Sequence, residues 1–230
     1  MKAIECHVDS ISPFSDTVFQ VRLTPQEPFD FVGGQYLTIV MGPEDKRPFS
    51  IASAPGSKQI ELHIGAFVAE SYAMQVIEHL RSNTRISIEA PFGHAHLRLH
   101  SRRPRLLVVG GTGFSYAHSM LEQLVAIDDN IPTILYWGCR DNAGMYLRQR
   151  AEQLADSLPS LTFVPVFDEW QAGARHGSVL DAVCDDIADL SDYDIYVAGR
   201  FEMAGVARER FLAQGANSEH LIGDAFAYLK

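Results

Sequence analysis

The residues of this chain best suited to chemistry lie in glycine turns and in one short mixed segment. Arg105–Val109 is an apolar run, and Gly110-Gly111-Thr112-Gly113-Phe114-Ser115 follows it directly. Glycine lets the backbone approach a phosphate, and the N-terminus of a following helix offers free N–H groups and a positive dipole. From Gly111 the pattern runs G-x-G-x-x and then meets Tyr116, where a dinucleotide fingerprint has its third glycine. A tight turn in any α/β fold would use the same residues. A second turn, Ala198-Gly199-Arg200-Phe201-Glu202-Met203, closes another apolar run. Arg200 at a helix start opposes the helix dipole, which favours an anionic ligand beside it over a simple surface arginine. Gly138-Cys139-Arg140-Asp141 ends a third run. An acidic residue there suits a ribose 2′-hydroxyl and an arginine suits a 2′-phosphate, so the adjacent pair leaves that choice open. The mixed segment is RPFSIAS, residues 47–53, in which a charge, a ring and a hydroxyl surround Pro48 at a strand start or edge.

Rival chemistries are weaker. Gly113-Phe114-Ser115-Tyr116-Ala117 falls one residue short of a G-x-S-x-G nucleophile elbow, although Asp194 and His220 follow in the order such hydrolases use. Ser115 lies about six residues past the strand, inside the first helical turn, where capping is the better reading. His94 and His96 would share a strand face, yet no third ligand of suitable spacing accompanies them, so no metal site is expected. Cys6, Cys139 and Cys184 are far apart and read as reduced structural thiols. With 19 basic and 29 acidic residues the net charge is −10, which argues against nucleic-acid binding. The basic cluster Arg98, Arg102, Arg103 and Arg105 around Pro104 reads as a solvated linker. The start, MKAIECHVDSIS, has no apolar signal core, and no apolar run reaches the ~18 residues of a membrane helix. A cytoplasmic protein with no membrane partner is expected.

Two grammars position these residues. In residues 1–100, Thr17–Thr24 alternates apolar and polar residues, and Gln35–Met41, Phe49–Ala54, Ile60–Ala66 and Arg85–Glu89 look similar. Helical spacing marks Glu70–Arg81. Short strands of this kind, six in all with one helix, imply a small antiparallel barrel. Residues 101–230 alternate strands and helices: strands at Arg105–Val109, Thr133–Trp137, Leu161–Val166, Asp194–Ala198 and Leu221–Tyr228, helices through Ala126 and at Ala143–Leu158, Ser178–Ile187 and Phe201–Gln214. That alternation predicts a doubly wound parallel sheet with ligands at the carboxyl ends of its strands. The fold class expected is therefore two-domain, a six-stranded barrel followed by an α/β sheet, with the boundary near residue 100.

Taken in order, the motifs resemble the ferredoxin-reductase-like flavin/nicotinamide oxidoreductases, which pair a flavin-binding barrel with a nicotinamide-binding α/β domain. Arg47-Pro48-Phe49-Ser50 is similar to their Arg-x-aromatic-Ser marker, and Gly110–Ser115 and Gly199–Met203 are similar to their nicotinamide turns. The stretches FVGGQYL, KRPFSIASAP, IELHIGA, GGTGFSYAHSML, YWGCR, DIYVAGRFEMA and GDAFAYL look most like the small NAD(P)H:flavin reductases, including those that supply luciferases. In that group riboflavin, FMN or FAD is usually an exchangeable substrate, reduced by NADH or NADPH.

The resemblance implies roles by position. Ser50 would address the flavin's reacting nitrogen, and Arg47 its ribityl or phosphate end. Pro48, Phe49, Tyr36, His63, Ile64, Gly65, Thr112, Tyr116 and Phe226 would line the flavin site. Gly111, Thr112, Gly113, Arg140, Gly199, Arg200, Phe201 and Met203 would serve the nicotinamide nucleotide, with Asp224 as an added candidate near the terminus. Tight flavin binders of the superfamily have a G-x-x-Ser/Thr phosphate turn. Here Val68-Ala69-Glu70-Ser71 lacks the glycine and carries an acid, which favours a flavin that leaves. A reduced-flavin-consuming enzyme is the partner implied. The readings held against this one are a tight-FAD electron-transfer reductase for a ferredoxin-like or ferric-siderophore partner, and a non-catalytic nucleotide-binding module. Ala198 replaces a cysteine found in many relatives, so no thiol has a role.

Overall fold

The computed structural model describes residues 3–68 and 70–229. Its first half holds β1 (Ile4–Pro13), β2 (Val18–Pro25), β3 (Tyr36–Val40), β4 (Lys46–Ser50), β5 (Ile60–Gly65), α1 (Tyr72–Ser82) and β6 (Arg85–Phe92). The six strands form one antiparallel sheet in the order β4-β3-β6-β1-β2-β5. Its two ends meet just past β4, where Ala52 N–H donates to the Glu61 carbonyl at 2.8 Å and Glu61 N–H donates to Ser53 Oγ at 3.1 Å. The sheet therefore curls into a barrel around Leu23, Leu37, Ile39, Ile51, Leu62, Ile64 and Ile88. Helix α1 covers one opening with Val76, Ile77 and Leu80, and Ser71 caps it by accepting from Met74 N–H.

The second half holds β7 (Arg105–Gly110), α2 (Phe114–Ala126), β8 (Thr133–Cys139), α3 (Arg148–Ser157), β9 (Leu161–Phe167), β10 (Arg175–His176), α4 (Val179–Asp186), β11 (Asp194–Ala198), α5 (Phe201–Ala213) and β12 (Leu221–Ile222). All six strands are parallel, in the order β10-β9-β8-β7-β11-β12. β7 is LLVV at its centre because helices cover both of its faces. The strand order reverses between β7 and β11, so the turns that follow them, Gly110–Gly113 and Ala198–Arg200, flank the switch-point crevice.

Helix α2 is buried almost all round, with Phe114, Ser115, Tyr116, Ala117, His118, Ser119, Met120, Leu121 and Leu124 shielded. One side packs on the parallel sheet and the other on the barrel. Gly33 and Gly34 lie against it: a Cβ on Gly33 would sit 2.9 Å from Met120 Cα, and one on Gly34 would overlap the Met120 side chain. Gly33 N–H donates to Gln123 Oε1 at 2.8 Å, and Ser119 Oγ donates to the Ser53 carbonyl at 2.7 Å.

Several expectations shift. β4 spans Lys46–Ser50 rather than Phe49–Ala54; it is an edge strand, so Pro48 costs no ladder bond there. β1 was not read at all. The helix expected from Ala143 begins at Arg148, after Asp141 Oδ1 takes the Gly144 N–H at 2.8 Å and fixes a turn. The strand expected over Leu221–Tyr228 pairs only at Leu221–Ile222, and Asp224–Tyr228 is a 3-10 turn. The arginine cluster is not a solvated linker. Arg105 is 0% exposed and binds Asp129 through both terminal nitrogens, Arg103 bonds the Ser191 carbonyl, and Arg98 bonds the Glu219 carbonyl.

Candidate active site

Tyr36 and Ser50 face each other across the β3–β4 ladder, so their side chains share one face of the barrel wall. Tyr36 stacks on Phe92 with ring centroids 5.6 Å apart. The Ser50 hydroxyl is half-buried and has no hydrogen-bond partner among the described residues. Gly93 follows Phe92, with φ +93, and a Cβ there would lie 3.0 Å from Tyr36 Cδ1 and 3.3 Å from Asp224 Oδ1. The C-terminal 3-10 turn thus reaches back to the barrel beside Tyr36. Burial raises the Tyr36 phenol pKa, and the neighbouring Tyr228 and Asp224 add to it. Burial also raises the Asp224 carboxyl, against a hydrogen bond from the Ala95 backbone and the pull of His94 and His96.

The wall meets the glycine loop at Gly65. A Cβ on Gly65 would sit 2.9 Å from Thr112 Cγ2 and 2.9 Å from Phe67 Cε2, so only glycine lets β5 and the loop touch. Gly111 has φ +52 and open space where a Cβ would point. Gly113 is pressed against the Ala198 carbonyl, and Met203 wedges between Gly110 and Gly199, its sulfur 2.8 and 2.9 Å from the positions their Cβ atoms would take. The turns after β7 and β11 therefore form one continuous backbone surface. Trp137 supports it from β8, donating Nε1–H to the Gly111 carbonyl at 2.9 Å and stacking on Phe114 at 3.8 Å. α5 has no side-chain cap at its N-terminus, so its first N–H groups remain available to an anion, whereas the first N–H of α2, that of Phe114, is taken by the Gly111 and Thr112 carbonyls of the 3-10 turn before it. These features fit a nucleotide diphosphate.

Other expected residues fall elsewhere. Arg47 is 7% exposed: its Nε and Nη2 donate to Asp45 at 2.8 and 2.7 Å, its Nη1 donates to the Tyr72 carbonyl at 2.7 Å, and the Tyr72 ring lies 4.2 Å away. Pro48 is exposed and Phe49 packs on the barrel core. Ile64 is core, leaving only its backbone for a ligand. His63 is buried in the seam between the halves, with Nε2 2.9 Å from Glu61 Oε1 and Nδ1 3.0 Å from the Tyr146 hydroxyl. Burial holds His63 below its usual value. Burial opposes ionisation of Glu61 as well, but hydrogen bonds from His63 and Gln20 prevail and bring it to about 2. Tyr116 does not line the cleft: it is 3% exposed and donates to the Ala95 carbonyl. Arg140 is exposed and bonded to Asp141 at 3.2 Å. Arg200 and Phe201 are exposed at the start of α5, and Phe201 meets Tyr228 edge-on at 6.1 Å. Phe226 packs against Gly223. In the expected phosphate turn, Ala69 lies outside the described residues; Glu70 has φ +64, and Ser71 caps α1.

Asp194 and His220 do pair, at 2.6 Å, yet they supply no hydrolase. Asp194 opens β11, at the amino ends of the parallel strands, while Ser115 lies beyond their carboxyl ends and donates to the Thr112 carbonyl at 3.0 Å. Cys6 and Cys139 are buried thiols that burial pushes up to about 12. Among the described residues no cluster of His, Cys, Asp and Glu could hold a metal, and no helix is long and apolar enough to cross a membrane. Sequence reasoning missed Asp45, His118, Tyr146 and Trp137. Only Asp45 left a local signal, standing two residues before Arg47 at a strand start, which puts both on one face.

An antiparallel barrel joined through a switch-point glycine surface to a parallel sheet defines the class of two-domain flavin/nicotinamide oxidoreductases. Residues 107–209 match the oxidoreductase NAD-binding domain family. The fold is similar to the Amycolatopsis cytochrome P450 reductase, with TM-score 0.88 and 24% identity over 97% of this chain and 69% of that one. It is also similar to the FAD/NAD-binding domain of nitric oxide dioxygenase from Vibrio cholerae, with TM-score 0.84 and 17% identity over 96% and 97% of the two chains. The chain is 46% identical to the NAD(P)H-flavin reductase of Vibrio harveyi over 98% of its own length and 99% of the relative's. The enzyme of the same name from Aliivibrio fischeri is also 46% identical, with the same coverage. The chain belongs to the NAD(P)H-flavin reductase family.

Proposed function

We propose that this chain uses NADH or NADPH to reduce free riboflavin, FMN or FAD, each bound as an exchangeable substrate. Residues 1–100 receive the flavin and residues 101–230 the nicotinamide nucleotide. The observation that carries the reading is the contact of Gly65 with Thr112, which joins the barrel wall bearing Ser50 and Tyr36 to the glycine surface of the switch point.

The chemistry supplied by the bound pair is hydride transfer from the nicotinamide ring to the flavin ring, which needs the reacting atoms within about 3–3.5 Å. The chain's part is placement. Gly111, Gly113 and Gly199 offer backbone to the nucleotide, while Arg200 and the α5 N-terminus offer positive charge. Thr112, packed against Gly65 where the two halves meet, would face both rings. Ser50, with an unclaimed hydroxyl on the wall, donates to the acceptor ring and steadies charge arriving there. Tyr36 and Phe92 shape the wall, and Asp224 and Phe226 close it from the C-terminal side. Among the described residues Glu70 puts a carboxylate and Ser71 a cap where a tight binder would hold a phosphate, so the flavin dissociates after reduction and passes to a consuming enzyme.

The test mixes protein, NADH or NADPH, and riboflavin, and follows the loss of nicotinamide absorbance. Saturable loss that requires added flavin is expected. Absence of loss with any flavin or other acceptor would leave a binding module.

A further inference from the structure

We infer that, on the flavin reading proposed for this chain, His118 is a positioning residue: it ties the wall bearing Ser50 to the helix that carries the glycine loop, and so sets the gap the hydride crosses. Ser50 ends β4, the last strand of its sheet, so it has a ladder neighbour on one side alone. Past Ser50 the chain is tied to the barrel through its amides: Ile51 N–H donates to the Gln35 carbonyl at 3.0 Å and Ala52 N–H to the Glu61 carbonyl at 2.8 Å. The carbonyls of this segment go to α2 instead. His118 Nδ1 meets that of Ala52 at 2.8 Å, and Ser119 Oγ donates to that of Ser53 at 2.7 Å. A carbonyl only accepts, so Nδ1 carries the proton of its bond. Of the two, the imidazole takes hold nearer to Ser50.

The ring is held in place from its other sides. Glu122 Oε1 lies 3.1 Å from Nε2 and is itself bound by Arg150, through Nε at 3.0 Å and Nη2 at 2.6 Å. The rings of Phe114 and His63 pack on it, each with its centroid 5.5 Å away. Phe114 opens α2 directly after Gly113, about one helical turn before His118. One buried imidazole therefore touches the start of the helix that follows the glycine loop and the backbone that follows Ser50. Pairing a buried carbonyl is a need that many donors could meet. What His118 adds is a fixed spacing between the two surfaces, and hydride transfer depends steeply on how the rings are placed.

Two variants divide the work of the two ring nitrogens. An Asn amide nitrogen takes the place of Nδ1, so His118→Asn keeps the Ala52 bond and gives up Glu122. A Gln amide nitrogen reaches the place of Nε2, so His118→Gln does the reverse. For both variants and the wild type, the riboflavin dissociation constant is measured by flavin fluorescence, and the hydride-transfer rate by anaerobic stopped flow at saturating riboflavin and nicotinamide. His118→Asn should transfer hydride within about threefold of the wild type. His118→Gln should be about 10- to 50-fold slower, with riboflavin affinity within about threefold. A wild-type rate in His118→Gln overturns the assignment. So does an equal loss in both variants, or a loss in His118→Gln that riboflavin affinity follows. Should His118→Gln fail to fold, Ser119→Ala takes its place: a rate about three- to tenfold lower at unchanged riboflavin affinity supports the assignment, and a wild-type rate overturns it. If the wild type reduces no flavin, the functional reading and this assignment fall together; flavin reduction with an unmoved His118→Gln rate overturns the assignment alone.

Discussion

Two kinds of turn lead into helices near the site, and they are built oppositely. The turns before α2 and α5 are small, neutral and pressed backbone to backbone: Gly113 on the Ala198 carbonyl, Met203 between Gly110 and Gly199, no side-chain cap on either helix. The turn before α1 carries Glu70 at φ +64 and a serine that takes its own helix N–H, and the nearest arginine is already paired. The first arrangement lets an anion approach the backbone and, at α5, leaves uncapped donors for it. The second fills the same positions with the protein's own acids. In the proposed reading a dinucleotide is held by main chain at the switch point, while a flavin is received by a wall and a hydroxyl. This contrast, more than any single residue, separates an enzyme that uses flavin as a substrate from one that keeps it.

The sharpest way to break the contrast is Gly113→Val. Its Cβ would overlap the Ala198 carbonyl and force the two nicotinamide turns apart, so kcat/KM for NADH or NADPH should fall at least ~100-fold, given how steeply rate depends on ring placement. Riboflavin affinity should stay within threefold, as equilibrium titration would show. Ser50→Ala comes next. No partner is orphaned, so stability should change by less than about 0.5 kcal/mol. Turnover should drop roughly 10- to 100-fold while flavin affinity moves far less, because the lost bond matters as charge arrives.

The seam that holds both kinds of turn at a fixed distance is pH-sensitive through Glu61. Its folded pKa is about 2 against 4.5 unfolded, so its contribution is full above the unfolded value and is lost as pH falls. Urea unfolding should show stability declining between about pH 5 and pH 2, and Glu61→Gln should flatten that limb. The smallest effect is expected of Glu70→Gly. Relief of a left-handed backbone costing about 1 kcal/mol, less the entropy of glycine, should raise the melting temperature by roughly 1–2 °C.

Much of this was legible in the sequence. Strand and helix periods gave both halves, since buried β7 and the capped α1 and α4 obey local rules. The glycine turns showed themselves because only glycine tolerates such approach. β1 was not legible: along its ten residues only Cys6 is buried, and no clear alternation results. β4 was misplaced because Ile51 and Ala52, both 0% exposed, look like strand centre, although they close the barrel instead. His118 was invisible for a different reason. Its Nδ1 meets the Ala52 carbonyl at 2.8 Å and its Nε2 meets Glu122 at 3.1 Å, pinning the segment after Ser50 to α2 across 66 residues of sequence. Arg47 is expected at the flavin's ribityl or phosphate end, but sequence shows a charge and not whether a neighbour two residues away has taken it, as Asp45 has.

The account stands most directly on whether flavin leaves. The purified, desalted chain should show no visible flavin absorbance and no activity with nicotinamide alone, and added riboflavin should restore turnover along a saturable curve. A preparation that retains stoichiometric flavin through gel filtration, and reduces it without any addition, would contradict the account.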